Sequence, residues 1–214
     1  ILYSSPKAGL QMDFPLEKLN QALQNEKGIL WVDFEAEPDA ACEPILLKTF
    51  GFHPLAVDDA LQETHAPKVD DWGTFLYIVL NTLDFSEPNR IASLHASELD
   101  VFLGTNFVVT HHDEPIPSLD LVWEACRRDL RHTMSGADHL LYKIVDFIVA
   151  AYMPLVENID RELDALEDSI FTRPDRRTLE GLFSMKRTLL SMRRVITPQR
   201  EVLNKLARDD YRVI

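Results

Sequence analysis

The stretch with the clearest potential for chemistry is FGFHPLAVDDALQETHAPKVD, residues 50–70, which contains the adjacent carboxylates Asp58 and Asp59. Consecutive residues of a helix diverge by about 100° around its axis, so two neighbouring aspartates of one chain cannot easily bind the same ion. Two interpretations are open. The pair is either a solvated helix face, or a weak site for a hard cation that keeps most of its waters and is completed by a second subunit.

The histidines do not suggest a further metal site. HHDE at residues 111–114 has a suitable composition, but neighbouring side chains on a strand point to opposite faces of a sheet. His53 and His65 flank a proline-bounded helix and are expected to form local hydrogen bonds. A metal-dependent hydrolase would need several such groups to converge, and the scatter of His53, His65, His95 and His111 does not favour it. We therefore do not expect an enzyme.

The composition favours cations over nucleic acids as partners. The chain has 214 residues, 46% of them hydrophobic, which is sufficient for a substantial core. Its formal net charge of -13 lacks the basic surface that binding to phosphates requires. Cys42 and Cys126 have no paired spacing, so we expect two core residues in a reducing compartment.

The first part of the chain, residues 1–132, is expected to form an α+β domain. A short helix closed by Gly51 precedes a second helix that begins at Pro54 and ends before Pro67. Runs rich in β-branched and aromatic residues predict strands at 28–34, 74–85, 96–104 and 106–112. Because these strands are grouped and do not alternate with helices, they favour α+β layers over a βαβ repeat.

Residues 133–214 are expected to form a long antiparallel helical hairpin and the start of a further helix. Apolar residues recur at every third or fourth position from Leu140 to Ile170. Pro174 is expected to begin the returning helix, and Thr197-Pro198 the third one. The longest uncharged stretch in this half, FIVAAYMPLV, is far shorter than the roughly 20 residues that cross a bilayer, so no membrane span is expected.

Charges on the two arms of this hairpin are separated. Residues 157–168 contain six acidic residues and one basic residue, a net charge of -5, whereas residues 186–212 contain eight basic and three acidic residues, a net charge of +5. Either these charges pair within the hairpin, or the acidic arm attracts cations or a basic neighbouring segment.

Three stretches resemble the CorA-type family of divalent-cation transporters and occur in the family's order. They are residues 50–70 followed by FLYIVL, then LLYKIVDFIVAAYMPLVENIDRELDALED, and finally MKRTLLSMRRVITPQREVLNKLARD. The combination of the HPL and PK stretch with the MRRVITPQREVL junction is specific to this resemblance.

The resemblance implies the cytoplasmic region of a homopentameric magnesium channel at the inner membrane. Its expected fold is an αβα sandwich followed by long helices, with a stalk helix leading to transmembrane segments that this chain lacks. Since the chain begins without Met, we expect part of a longer protein. Because some members of the family handle zinc, cobalt or nickel, these ions are alternatives to Mg²⁺. A helical adaptor whose acidic arm binds a protein partner is another alternative.

The resemblance also implies a role for the adjacent aspartates Asp58 and Asp59. In the family, Mg²⁺ ions that bridge adjacent subunits hold the funnel closed, and their loss opens it. Asp58 and Asp59 stand where the family places acidic residues of that regulatory site, whose other half belongs to a neighbour's stalk beyond Ile214. Ala150 and Ala151 replace an acidic pair that relatives can carry, so a second ion site is not implied.

Overall fold

The computed structural model describes residues 1–62, 65–86, 93–129, 135–172 and 175–214. Its strands are β1 Leu2–Ser5, β2 Gly9–Met12, β3 Ile29–Glu35, β4 Lys68–Asp71, β5 Leu76–Phe85, β6 Leu94–Leu103 and β7 Phe107–His112. They form one seven-stranded sheet in the order β2-β1-β3-β7-β6-β5-β4. Strands β3 and β7 pair in parallel and the other neighbours pair antiparallel. The predicted α+β class is confirmed.

Helices cover both faces of this sheet. They are α1 Leu19–Leu23, α2 Asp39–Pro44, α3 Pro54–Gln62, α4 Pro117–Arg128, α5 Ala137–Ala150, α6 Tyr152–Thr172 and α7 Arg176–Arg208. Buried residues of α1, α2 and α3 pack on one face, and those of α4, α5, α6 and α7 pack on the other. The expected αβα sandwich with a long helical hairpin is therefore confirmed.

The alternation of side chains along β5 explains why two separate cores form. Tyr77 and Val79 point toward α3, whereas Leu76 and Ile78 point toward α5 and α6. All four side chains are fully buried, because both faces of the central strands are covered. Cys42 and Cys126 are buried and free, one in each core, as the sequence predicts.

The predicted strands, and the helix that begins at Pro54, are confirmed to within a few residues. Gly51 ends the preceding helical segment with a φ of 69°, a left-handed conformation that glycine adopts without strain. Strands β1, β2 and β4 were not predicted. Each has four residues, which is too short for alternation to be distinguished from a loop.

The third helix expected at Thr197-Pro198 is a wrong prediction. Helix α7 runs through Pro198 to Arg208, and the following residues 209–214 contain no helix. Proline removes one backbone hydrogen bond, but buried residues on both sides of it, Met192 and Val202, hold α7 against the sandwich. The segment assigned to a stalk start thus belongs to the hairpin. Pro174 and the domain boundary between residues 132 and 133 lie outside the described residues.

One helical run, residues 137–172, is long and apolar enough to cross a membrane by length and composition, with a mean hydropathy of 1.5 over its most apolar part. The run contains no long uncharged stretch, because Lys143 and Asp146 interrupt its apolar sequence. The composition has a second explanation, because Leu140, Ile144 and Ile148 pack against the sheet.

Candidate functional site

Helix α3 presents the two aspartates, and its start is fixed by the residues before it. Pro54 occupies the first helical position, where its missing N–H costs no hydrogen bond. The backbone carbonyl of His53 accepts from the N–H of Ala56 at 2.9 Å. The Nδ1 atom of the His53 ring accepts from the N–H of Leu55 at 3.2 Å. His53 also stacks on Trp72, with ring centroids 4.4 Å apart. This histidine is therefore a local capping residue, as expected.

Asp58 and Asp59 point in different directions, as the helical geometry predicts. Asp58 is exposed and forms no ion pair or hydrogen bond with any residue that the structure describes. Asp59 has a side chain that is 33% exposed, and its Oδ2 lies 2.5 Å from the Nζ of Lys68 and 3.6 Å from the Nε2 of His65. The two carboxylates thus form an open edge of α3.

Lys68 is held by groups from three elements. Besides Asp59 on α3, it contacts Asp70 on its own strand at 3.3 Å, and its ammonium lies 5.1 Å from the centre of the Tyr77 ring on β5. Burial lowers the pKa of Lys68, but the hydrogen bonds to Asp59 and Asp70 outweigh burial and raise the pKa above its ordinary value. The ammonium therefore stays charged.

A buried polar cluster lies on the sheet face next to this pair. The Tyr77 hydroxyl donates to Asp100 Oδ1 at 2.6 Å, and His111 Nδ1 lies 3.7 Å from the other oxygen of that carboxylate. Glu98 Oε2 accepts from the backbone N–H of His65 at 2.7 Å. Burial raises the pKa of Glu98 to about 7, and it also raises the pKa of Asp100. These carboxylates hold protons more readily than Asp or Glu in water.

A cleft of about 260 Å³ opens beside this cluster, between the end of α3 and the ends of β6 and β7. Its rim includes His95, whose Nε2 lies 2.5 Å from Glu114 Oε2. Deeper in the cleft, neither ring nitrogen of the buried His111 forms a hydrogen bond with a described residue. Such groups are ordinarily satisfied by water.

The two histidines of HHDE lie on opposite faces, as predicted. His111 faces Asp100 on the α3 side, while His112 lies 3.3 Å from Asp33 on the other side of the sheet. Among the described residues, no group of three or more His, Cys, Asp or Glu side chains is close enough to hold a metal ion. In the described part of the chain, the carboxylates of α3 therefore do not form a metal cage by themselves.

The charged arms do not pair with each other as one interpretation expected. In the parts of α6 and α7 that the structure describes, no acidic residue of 157–168 forms an ion pair with a basic residue of 186–212. Apolar contacts occupy the helix interface instead, where Leu166 packs closely on Gly181. The charges face solvent, and only Glu162 among the acids is partly covered.

Comparison with known proteins identifies the family. Residues 26–213 match the family model described as CorA-like Mg²⁺ transporter protein. This chain belongs to the CorA family. The cobalt/magnesium transport protein CorA of Thermotoga maritima is 32% identical over 165 residues, and that of Methanocaldococcus jannaschii is 23% identical over 193 residues.

The matches extend over most of this chain but only part of the relatives. The alignments cover 75% and 89% of this chain, and 45% and 59% of the Thermotoga and Methanocaldococcus proteins. The solved soluble domain of CorA from Methanocaldococcus jannaschii aligns with a TM-score of 0.77 at 20% identity, covering 100% of this chain and 81% of that domain. The CorA fold is thereby established for the chain.

Sequence reasoning found the aspartates but missed their neighbours. Lys68 carries no predicted role, and neither Glu98 nor Asp100 is predicted to belong to a site. The pairing of β4 with β5 places Lys68 opposite Val79 and within reach of α3. The Pro67-Lys68 dipeptide, which closely follows the helix of the two aspartates, is the feature of the sequence that indicates a cation near them.

Proposed function

We propose that this chain is the cytoplasmic ion-sensing and gating region of a homopentameric magnesium channel of the CorA family, and not an enzyme. The observation that supports it most is the edge of α3, where Asp58 is exposed and Asp59 partly exposed, and where the described residues bring together no group of three His, Cys, Asp or Glu side chains that could hold a metal ion. A site of this kind needs a second copy to complete it. The expected stalk, beyond Ile214, is the partner that we propose.

Ligand chemistry favours Mg²⁺ as the sensed ion. Asp58 and Asp59 offer only oxygen atoms, and Mg²⁺ keeps several waters while taking one or two carboxylates. Cobalt, nickel and zinc, which bind imidazole or thiolate well, are the alternatives within the family. Both relatives named above are called cobalt/magnesium transport proteins. We propose that the same ion is transported and sensed.

Electrostatics between copies supplies the mechanism. Carboxylates of adjacent copies repel one another, and that repulsion becomes an attraction when a divalent cation lies between them. Occupancy of the site is then coupled to the arrangement of the copies, which is what gating requires. The affinity has to be weak, because the site must empty when the ion concentration falls.

The location follows from the same proposal. We place the longer protein in the inner membrane, with residues 1–132 as the body of a sandwich domain on the cytoplasmic side. Residues 133–214 are helical arms there, and their buried residues also cover one face of the sheet. The incomplete coverage of the relatives leaves room for transmembrane segments outside this chain. Its net charge of -13 supports cations as partners over nucleic acids.

Limited proteolysis of the full-length protein tests this function. Millimolar Mg²⁺ is expected to slow cleavage, because it favours the closed arrangement of the copies, and Asp59→Ala and Asp58→Ala are expected to weaken that protection. Asp39→Ala removes an exposed carboxylate of α2 and serves as the matched control. Equal protection of all variants would contradict sensing at α3. A stable oligomer that ignores Mg²⁺ would instead favour the adaptor.

A further inference from the structure

The Asp59 carboxylate already has a cation next to it. The Lys68 ammonium lies 2.5 Å from Asp59 Oδ2, within the space that any other cation at this oxygen would occupy. Because Lys68 belongs to the same chain, its local concentration does not fall when the protein is diluted. A divalent cation at Asp59 Oδ2 therefore competes with this ammonium.

Lys68 also has a second position available. Asp70 Oδ2 lies 3.3 Å from the same ammonium, and the Tyr77 ring is 5.1 Å away. A lysine that leaves Asp59 can therefore keep an opposite charge and an aromatic face as partners. The Lys68 side chain is only 28% exposed and Asp70 is 45% exposed, so water screens this existing contact partly but not fully.

We propose that Lys68 is an internal counter-ion that competes with divalent cations for Asp59 and sets the concentration at which the site fills. This rests on the proposed function, since it concerns the same carboxylate. When the site fills, Lys68 moves away from Asp59 and keeps its ion pair with Asp70. Asp58 is not under this control, because it has no cation among its described neighbours.

Competition with Lys68 explains how the Asp59 carboxylate can bind a divalent cation only weakly. Without a cation, a carboxylate at a crowded acidic interface would repel its neighbours, and Lys68 removes part of that repulsion. With a divalent cation present, the same ammonium weakens binding because like charges repel. Both effects move the response toward higher ion concentrations, where a sensor of an abundant ion has to operate.

Paramagnetic NMR of the 214-residue chain tests the competition at a half-site. Trace Mn²⁺ is expected to broaden the amide signals of residues 57–61, and a Mg²⁺ titration of the same signals gives a midpoint. Asp59→Asn should abolish the broadening. Lys68→Met should lower the Mg²⁺ midpoint about tenfold, because the competing charge is gone. Lys68→Arg, which keeps the charge, should stay near the original midpoint.

Matched variants separate competition from general electrostatics. Lys48→Met removes an exposed lysine elsewhere and should leave the midpoint unchanged. Asp70→Asn removes the second position of Lys68, so the ammonium should stay on Asp59 and the midpoint should rise about threefold. Asp71→Asn removes the adjacent exposed charge of the same strand, and it should raise the midpoint less than Asp70→Asn does.

The possible results distinguish this inference from the function on which it rests. Asp59-dependent broadening with an unchanged midpoint in Lys68→Met would overturn the role of Lys68 and leave the ion site standing. No broadening in either the original chain or Lys68→Met would overturn the site itself. Broadening that appears only after Lys68→Met, and that disappears when Asp59→Asn is added, would support the competition in its strongest form.

Discussion

Glu98 illustrates how the sheet changes the chemistry of a single side chain. Burial next to Asp100 raises its pKa to about 7, although the N–H of His65 donates to it. An unfolded chain has an ordinary glutamate pKa, so the folded chain keeps a proton that the unfolded chain has already released. Between the ordinary value and about pH 7, the free energy of unfolding must therefore fall as the pH rises.

Glu98→Gln should remove this pH dependence. The amide resembles the protonated carboxyl group, so the variant and the original chain should have similar stability near pH 4.5. Toward pH 8 the variant should gain about 1 kcal/mol relative to the original chain, a value reduced for the partial exposure of Glu98. Urea unfolding at a series of pH values measures the difference.

Glu114→Gln is the control for this experiment. Hydrogen bonds from Ser97 and contact with His95 lower the pKa of the exposed Glu114, so the sign is reversed. The ionised Glu114 carboxylate therefore raises the free energy of unfolding at neutral pH, and this contribution is lost as the pH falls. A gain at alkaline pH in both variants, or in neither, would contradict the account of Glu98.

The residue scale also shows what one sequence can and cannot predict. The divergence of Asp58 and Asp59 follows from the helical repeat alone, and the structure agrees. The contact of Asp59 with Lys68 depends on the register of β4 against β5, which a four-residue strand does not reveal. The cluster of Glu98, Asp100 and His111 likewise depends on the register of β6 against β7, which places Asp100 opposite His111.

At the scale of elements, a buried hydrogen-bond network joins the long helices to the sheet. The Tyr152 hydroxyl on α6 donates to the carbonyl of Asn81 on β5 at 2.7 Å and accepts from Gln199 Nε2 on α7 at 2.9 Å. Gln199 Oε1 accepts from the N–H of Asn81 at 2.8 Å, which closes the network. Burial raises the pKa of Tyr152 to about 12, so its phenol remains neutral.

Tyr152→Phe should loosen this connection. The change leaves the Asn81 carbonyl without its donor in a buried place, which should lower the free energy of unfolding by about 1–3 kcal/mol. Tyr142→Phe, at a tyrosine of α5 that is 56% exposed, is the matched control and should change stability by less than about 0.5 kcal/mol. Chemical denaturation followed by circular dichroism measures both. Equal changes in the free energy of unfolding in the two variants would show that the network does not contribute to stability.

Longer elements could be predicted and shorter ones could not. Strands β3, β5, β6 and β7 have six or more residues with strong β-forming composition, and all were predicted. The helix start expected at Thr197-Pro198 failed because proline lowers helix propensity without preventing a helix that tertiary contacts hold on both sides. Packing, which a local pattern does not contain, decided the outcome.

At the scale of the whole molecule, charged and apolar side chains both remain exposed and available for contacts with other molecules. The bases of α7 and nearly all the acids of residues 157–168 face solvent. Exposed apolar side chains lie among them, including Met153, Phe171 and Phe183. Such a combination is typical of surfaces that other copies or partners cover. The sequence predicted the charge separation, but not that the hairpin leaves it unpaired.

The central claim is that a divalent cation lies between copies at Asp58 and Asp59. Crystals of the full-length oligomer soaked in Mn²⁺ test it directly by anomalous scattering. An anomalous peak is expected between two copies, within about 5 Å of the Asp59 carboxylate, a distance that allows one bridging water. The peak should disappear in Asp59→Asn. Strong peaks elsewhere in the oligomer, with none beside these aspartates, would contradict the account.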